Sequence, residues 1–205
     1  VNPVKPSLFL EGSYEFGSYR NECGWVTPVK VRRQIYHTFF AGGAGHTYGA
    51  GPVWAMRGTG GDYNCGYTWK QALEFPGAVQ FAGVAKTFLQ NHKWPYWIPD
   101  NRIIEGPAGE KDSLKTAVTC ASGKMTLVYF SNNSGTRIRN TTDNAARACW
   151  FDPRNGQEEQ VIQSHSPKGS GRIFNIVITV GISIVDTFEG EPLFIMAFHV
   201  TYKMR

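Results

Sequence analysis

The sequence predicts an α/β unit followed by an all-β unit, and three observations support this division. A short apolar run, Ser7–Leu10, and a second short predicted strand with polar and aromatic residues, Ala44–Gly49, enclose a segment of helical periodicity, which is the order of a parallel β-α-β unit. A further helical pattern leads into a connector rich in proline and aromatic residues, His92–Asp100. Beyond this connector, short apolar runs alternate with turns, as is typical of an antiparallel β-sandwich. We therefore predict domains at residues 1–92 and 93–205.

The first apolar run predicts a buried strand, because it is continuous and is bounded by Pro6 and Gly12. Functional groups of parallel α/β folds gather where the strands end. The polar and aromatic residues that follow the two predicted strands should therefore share one rim. These candidate site residues are Glu11, Tyr14, Glu15, His46, Tyr48 and Trp54.

Helices are predicted between and after these strands. Thr27–Pro28 is a helix start and Gly42–Gly43 a helix end. Four residues at helical spacing form the apolar face of this helix: Val31, Ile35, Thr38 and Phe39. A short helix is predicted over Thr68–Phe75 and a stronger one over Ala78–Gln90.

The charge distribution argues against a nucleic-acid partner. The formal net charge is +5, but the basic residues form only two short groups, Lys30–Arg33 and Arg137–Arg139. A nucleic-acid-binding surface usually concentrates its basic residues. Polar residues interrupt the longest apolar stretch, Ile173–Val185, which favours strands over a membrane span. We therefore expect neither nucleic acid nor a membrane as a partner, and the first residues show no signal-peptide pattern.

The aromatic content suggests carbohydrate binding. Aromatic residues make up 14% of the chain and include 6 Trp. A flat ring stacks against the apolar face of a pyranose, while nearby polar groups orient its hydroxyls. The alternative is that most of these rings belong to the core.

The cysteines do not suggest a metal site. No CxxC pair occurs among Cys23, Cys65, Cys120 and Cys149, and no His stands at metal-ligand spacing from them. We expect no metal or other cofactor. Cys23 and Cys65 would be able to pair in an oxidising compartment, but the sequence leaves every pairing open.

Several segments between Lys5 and Gly156 resemble motifs of one known family. They are Lys5–Glu15, Val31–Gln34, Phe40–Gly49, Trp69–Ala78, Trp97–Asn101 and Phe151–Gly156. The longest, Phe40–Gly49, reads FAGGAGHTYG and is similar to the family motif AGAAGHTYG. The family is the apiosidase-like glycoside hydrolases, bacterial (β/α)8-barrel enzymes in which a collagen-binding-like β-sandwich follows the barrel.

The resemblance implies that this chain holds the last two βα units of a TIM-type barrel and then the sandwich. It implies that Glu11, on the seventh barrel strand, is the catalytic nucleophile, and that His46 and Tyr48 line the sugar pocket from the eighth. The remaining candidates, Tyr14, Glu15 and Trp54, would be pocket or supporting residues. Gly12 stands where the family often has Pro.

The resemblance also implies that the acid/base carboxylate lies on an earlier strand, which this chain does not contain. A complete barrel takes roughly 250 residues. Glu15 and Asp62 are the only local substitutes, and a proton donor must lie across the scissile bond from the nucleophile. The expected partners are thus a carbohydrate substrate and a second chain with the first barrel strands. The family implies an extracellular or periplasmic location.

Two other interpretations stay open. The chain would be a non-catalytic carbohydrate-binding or interaction module, or a structural remnant, if no acid is supplied. Each candidate also has a structural explanation, since Glu11 can belong to a hydrogen-bond network, His46 to the core, and Tyr48 and Trp54 to packing. The segment 181–205 shows little resemblance to the family, and we expect it either to have diverged from the family or to be foreign to it.

Overall fold

The structure is a computed structural model that describes residues 5–17, 24–56, 65–121, 125–132, 136–139, 146–164, 173–174 and 194–200. The chain divides into two compact units. The first comprises Val1–Pro95 with Arg154–Gly156, and the second comprises Tyr96–Pro153 with Gln157–Arg205. The predicted boundary after residue 92 falls near the first of these divisions.

The first unit contains the predicted strand–helix–strand arrangement. Strand β1 (Leu8–Phe9) pairs in parallel with strand β2 (Gly45–His46), and helix α1 (Pro28–Phe40) lies between them in sequence. The register places Phe9 opposite His46. The backbone hydrogen bonding continues beyond the two strands, because Thr47 N donates to the carbonyl of Phe9 over 3.1 Å. The C-terminal ends of both strands therefore lie side by side.

Helix α1 begins and ends where the sequence predicts. The Thr27 hydroxyl accepts a hydrogen bond of 3.4 Å from Lys30 N at the N-cap, and Pro28 occupies the first turn. Gly42, with φ at 88°, follows the helix in the left-handed region that glycine tolerates. The buried face is formed by Val31, Arg32, Ile35, Tyr36, Phe39 and Phe40.

The predicted helix over residues 78–90 is longer than expected and is not uniform. The further α-helices among the described residues of this unit are α2 (Gly51–Ala55), α3 (Trp69–Ala72), α4 (Pro76–Val79) and α5 (Lys86–Asn91). A π-helical segment, Gln80–Ala85, joins α4 to α5. Such segments are rare and occur often at functional sites, because they change which side chains face a neighbour.

The prediction that the first strand is buried is wrong for this chain. Leu8, Phe9 and Leu10 are 57%, 40% and 66% exposed. A continuous apolar strand is buried when helices and further strands cover it. Within the described residues, β1 pairs only with β2, and this two-stranded sheet leaves its apolar side chains partly uncovered.

The described residues of the second unit form two antiparallel sheets. The larger has the order β3-β5-β6-β11-β8-β9 and the smaller has the order β10-β7-β4. The strands of the larger sheet are β3 (Trp97–Pro99), β5 (Lys115–Cys120), β6 (Met125–Phe130), β8 (Ala146–Phe151), β9 (Glu158–Ser164) and β11 (Phe194–Val200). Those of the smaller are β4 (Ile104–Glu105), β7 (Arg137–Arg139) and β10 (Ile173–Phe174). The predicted short strands are thus present, but residues 175–180 lie outside the described part.

The segment after residue 180 contributes a central strand, which the sequence did not predict. β11 pairs with β6 on one side and with β8 on the other, antiparallel to both. Without Phe194–Val200 the larger sheet would split into two parts. The segment is therefore integral to the second unit.

One hydrophobic cluster joins residues of both sheets. It contains Ile103, Ile104, Ala117, Val128, Phe130 and Ile138, with Trp150 packed against it. The connector that resembles the family has a structural role here, because the Asn101 side chain accepts a 2.8 Å hydrogen bond from Ala117 N. Asp100 accepts from Arg102 N and pairs with the Arg102 guanidinium at 2.7 Å.

Candidate active site

Glu11 is an exposed carboxylate just beyond the end of β1. The Tyr14 hydroxyl donates a hydrogen bond of 2.8 Å to its Oε1 atom. This bond, with the neighbouring negative charge and partial burial, raises the pKa of Tyr14 above its usual value. Tyr14 therefore stays a neutral donor that orients Glu11.

The turn after Glu11 is fastened to helix α1 by Gln34. Ser13 N donates to Gln34 Oε1 over 3.1 Å, and Gln34 Nε2 donates to Ser13 Oγ over 3.0 Å. A side chain at Gly12 would approach both Gln34 Oε1 and the Phe9 ring to 2.8 Å. A larger residue at position 12 would therefore require the Gln34 amide and the Phe9 ring to shift. Gln34 lies within a motif of the family resemblance, but nothing in its spacing from Ser13 predicted this contact.

His46 lies beside β1 on the neighbouring strand. Its ring stacks on Phe9 at 5.2 Å with an interplanar angle of 6°, and the Phe81 ring meets it edge-on at 5.9 Å. Phe81 belongs to the π-helical segment. Burial lowers the pKa of His46 to about 4, so the imidazole is neutral at neutral pH.

Thr38 selects the tautomer of this imidazole. The Thr38 hydroxyl donates its single hydrogen to the carbonyl of Gln34 over 2.7 Å. Its oxygen lies 3.1 Å from His46 Nδ1 and is left to accept a hydrogen bond there. The hydrogen of the ring is thus assigned to Nδ1, and Nε2 keeps a lone pair that can accept from a hydroxyl group.

Glu15 is enclosed, in contrast to Glu11. It is 0% exposed, and its carboxylate accepts hydrogen bonds of 2.6 Å from Tyr48 Oη and 2.9 Å from Gly77 N. Burial raises the pKa of Glu15 above its usual value. The two hydrogen bonds, a backbone hydrogen bond from Ala78 and the charge of Arg32 lower the pKa, but burial has the larger effect. A raised pKa suits a proton donor, but both oxygens of this carboxylate accept hydrogen bonds from within the first unit. The geometry gives Glu15 a supporting position.

Tyr48 completes this internal network. Burial and the bond to Glu15 raise the pKa of Tyr48, and its ring stacks on Phe81 at 6.1 Å. Phe81 thus contacts both Tyr48 and His46 and connects the buried network to the rim. The sequence had not singled out Phe81.

Trp54 lies on α2, and its side chain is 60% exposed. The helix begins just after Ala50, which forms a parallel bridge with Glu15. Of the six predicted site residues, five are thereby linked to two adjoining strand ends by pairing or hydrogen bonds, and Trp54 stands on the helix that follows them. Asp62, the other carboxylate considered, lies outside the described residues.

Among the described residues, no group of three or more His, Cys, Asp or Glu side chains is arranged to hold a metal ion. The described helices include none with the length and hydropathy of a membrane span. Cys65 is disulfide-bonded, and Cys23 lies outside the described residues.

Comparison with known proteins confirms the resemblance that the motifs indicate. Residues 1–95 match the family model described as apiosidase-like, catalytic domain. Residues 98–175 match the one described as putative collagen-binding domain of a collagenase. No curated protein matches the chain.

Two solved structures share the fold. One is titled glycoside hydrolase and superposes with a TM-score of 0.80 at 22% identity, covering 100% of this chain and 44% of that chain. The other is a glycoside hydrolase family 5 protein from Bacteroides vulgatus ATCC 8482, with a TM-score of 0.79 at 21% identity over 98% of this chain and 42% of that one. The chain thus spans less than half the length of these proteins.

Proposed function

We propose that this chain, whose residues 1–95 match the apiosidase-like catalytic domain, forms the C-terminal portion of a retaining glycoside hydrolase. The observation that supports this most is the placement of Glu11. It is an exposed carboxylate at a strand end, oriented by Tyr14, and the adjoining strand carries the neutral His46. This arrangement suits a nucleophile at a sugar-binding rim.

The proposed reaction has two steps. A carboxylate oxygen of Glu11 attacks the anomeric carbon while the glycosidic C–O bond breaks, and a carboxylic acid protonates the departing oxygen. Water, deprotonated by the same acid/base group, then attacks the anomeric carbon and releases Glu11. No cofactor takes part.

The acid/base group is proposed to come from outside this chain. Glu15 is enclosed by Tyr48 and Gly77, so it does not reach a substrate at the rim without breaking those bonds. We propose that a second chain or a further segment supplies it together with the first six strands of a (β/α)8 barrel. The exposed apolar side chains of β1 support this, since neighbouring strands and helices would bury them.

The substrate is proposed to be an O-glycosidic bond of a plant-type or complex polysaccharide. Nε2 of His46 would accept a hydrogen bond from a sugar hydroxyl, and the exposed ring of Trp54 would stack on a pyranose face. Tyr14, Glu15 and Tyr48 would act chiefly by holding this surface in place.

The second unit is proposed to be a β-sandwich attached to the barrel. Support comes from the hydrophobic cluster that residues of both sheets share. We also propose an extracellular or periplasmic location, because the disulfide at Cys65 is typical of oxidising compartments.

The test is hydrolysis by the native assembly with Glu11 replaced by Gln. We expect turnover of the preferred polysaccharide to fall to background while the circular dichroism spectrum is unchanged. Glu74→Gln, which changes an exposed glutamate of the same unit, is the matched control and should retain activity. Unchanged turnover in Glu11→Gln would rule out the nucleophile. For the retaining mechanism, azide should restore turnover in Glu11→Ala by taking the place of the missing carboxylate.

A second candidate function is a non-catalytic carbohydrate-binding module, favoured by the exposure of Trp54. It predicts that the chain alone binds a polysaccharide without hydrolysing it, and that Trp54→Ala abolishes the binding. Native mass separates the two candidates first. A complex with a second chain large enough for six βα units supports the enzyme, whereas an isolated chain of 22.8 kDa supports the binding module.

A further inference from the structure

The Tyr14 ring lies directly against the backbone of Gly49. A Cβ atom added at Gly49 would overlap Cδ1 and Cε1 of this ring and stand 3.3 Å from its Cγ. Gly49 does not have a positive φ, so its backbone conformation does not require glycine. The close approach of Tyr14 is therefore the reason that no side chain fits at position 49.

The two backbone segments cannot separate easily to make room. Glu15 N donates to the carbonyl of Gly49 over 2.9 Å, and Gly51 N donates to the carbonyl of Glu15 over 3.2 Å. The Glu15 side chain is in turn fixed by Tyr48 and Gly77. A side chain at position 49 would thus displace the ring of Tyr14 and leave the paired backbones in place.

We propose that Gly49 is a positioning residue that acts through Tyr14 on Glu11. The close contact with Gly49 fixes the direction of the Tyr14 ring, and that direction brings its hydroxyl to 2.8 Å from Glu11 Oε1. The bond distinguishes the two carboxylate oxygens, because Oε1 is held by Tyr14 and Oε2 is the oxygen left for other partners. This inference deepens the proposed function and rests on it for its relevance to hydrolysis, but its geometry can be tested without a sugar.

The readout is the titration of Tyr14, followed by NMR of the chain labelled with ¹³C at the tyrosine Cζ atoms. Because Tyr14 donates to Glu11, its pKa is raised above the usual value of about 10. Glu11→Gln should lower the pKa of Tyr14 towards that value. Gly49→Ala should do the same, since the displaced ring no longer reaches the carboxylate.

The decisive comparison is the double variant. If Gly49 acts through Tyr14, Glu11→Gln has little further effect on the Tyr14 titration once Gly49→Ala is present. If Glu11→Gln shifts the titration equally in both backgrounds, Gly49 does not position the pair and the proposal is overturned. Gly43→Ala is the matched control, because its added Cβ would also be crowded, at 2.7 Å from Thr38, but away from Tyr14, and it should leave the Tyr14 titration unchanged.

A second comparison covers the case in which Gly49→Ala does not fold. Removal of the ring in Tyr14→Ala/Gly49→Ala should then restore folding, because the overlap is with that ring. Failure of the double variant to fold would show that the crowding lies elsewhere and would overturn the proposal. If the variants change the Tyr14 titration as expected but Glu11→Gln leaves hydrolysis unchanged, the proposed function is refuted and the positioning role of Gly49 stands.

Discussion

Tyr48 donates a 2.6 Å hydrogen bond to the carboxylate of Glu15, a residue 33 positions earlier in the chain. The bond connects the segment that follows β1 with the segment that follows β2. Gly77, at the start of α4, donates to the other carboxylate oxygen. One buried carboxylate thereby joins three chain segments, and the first of them, which follows β1, also carries the exposed Glu11. We therefore expect this carboxylate to govern both the stability of the unit and the geometry of the site.

Tyr48→Phe removes the donor but keeps the ring that stacks on Phe81. A buried carboxylate then loses a charge-assisted hydrogen bond, and we expect the free energy of unfolding to fall by about 1.5–3 kcal/mol. The loss should be larger at pH 7 than at pH 4.5, because the raised pKa of Glu15 makes it partly protonated at the lower pH. Urea denaturation at both pH values measures this loss in the free energy of unfolding.

Tyr14→Phe is the control for this prediction. It also removes a tyrosine–glutamate hydrogen bond, but Glu11 is exposed and water can replace the donor. Its cost should be below about 1 kcal/mol. Equal losses in the two variants would contradict the distinction between a buried supporting carboxylate and an exposed one.

Gly77→Ala should destabilise the first unit. The added Cβ would overlap Glu15 Oε2 and stand 2.8 Å from its Cδ, so the carboxylate or the start of α4 must move. Crowding of this kind costs about 1–3 kcal/mol, and the loss of the bond from Gly77 N would add to it. The loss is measured as a change in the midpoint of chemical denaturation.

Gly83→Ala provides the matched comparison in the same helical region. Nothing lies within 4 Å of a Cβ added at Gly83, so alanine should be neutral or stabilise by up to about 1 kcal/mol through its higher helix propensity. If both substitutions had the same effect, the proximity of Glu15 would not be what requires glycine at position 77.

These glycines show where prediction from the sequence ends. The strand ends, the start of α1 and the candidate Glu11 could be predicted, because each depends on a pattern within a few residues. The different environments of Glu11 and Glu15 could not be predicted. The environment of Glu15 depends on Tyr48 and Gly77, which are 33 and 62 residues from it in the sequence.

Non-local pairing accounts for the other differences. The exposed β1 was expected to be buried because its composition suits a strand covered on both sides, but burial depends on neighbours that the described residues do not include. Likewise, β11 lies between β6 and β8 although about 60 residues separate it from β6 and more than 40 from β8 in sequence. No local pattern states which strands become neighbours.

Thr38→Val should change the tautomer of His46. Valine keeps the shape of threonine but lacks the oxygen that accepts from Nδ1, so the hydrogen is no longer held on that nitrogen. Imidazole ¹⁵N NMR should show hydrogen on Nδ1 in the unmodified chain and a shift of population to Nε2 in Thr38→Val. Thr38→Ser retains the hydroxyl and should retain the Nδ1 tautomer. The same spectrum in all three proteins would refute the assignment.

His46 should make stability depend on pH below neutrality. Its pKa is lowered to about 4 in the folded chain, against about 6.5 when unfolded, so between these values the unfolded state binds more protons. Stability from this residue is therefore complete above pH 6.5 and is lost as the pH falls towards 4.

His46→Phe keeps an aromatic ring against Phe9 and removes the titration. Urea denaturation at pH 7 and pH 5 should show a smaller loss of stability on acidification in this variant than in the unmodified chain. His37, whose pKa burial also lowers to about 4, retains its own contribution, so the dependence should be reduced and not abolished. His37→Phe/His46→Phe should reduce it further. If His46→Phe kept the full dependence on pH, the imidazole would not be held neutral in the folded chain, and its role as a hydrogen-bond acceptor at the rim would have to be abandoned.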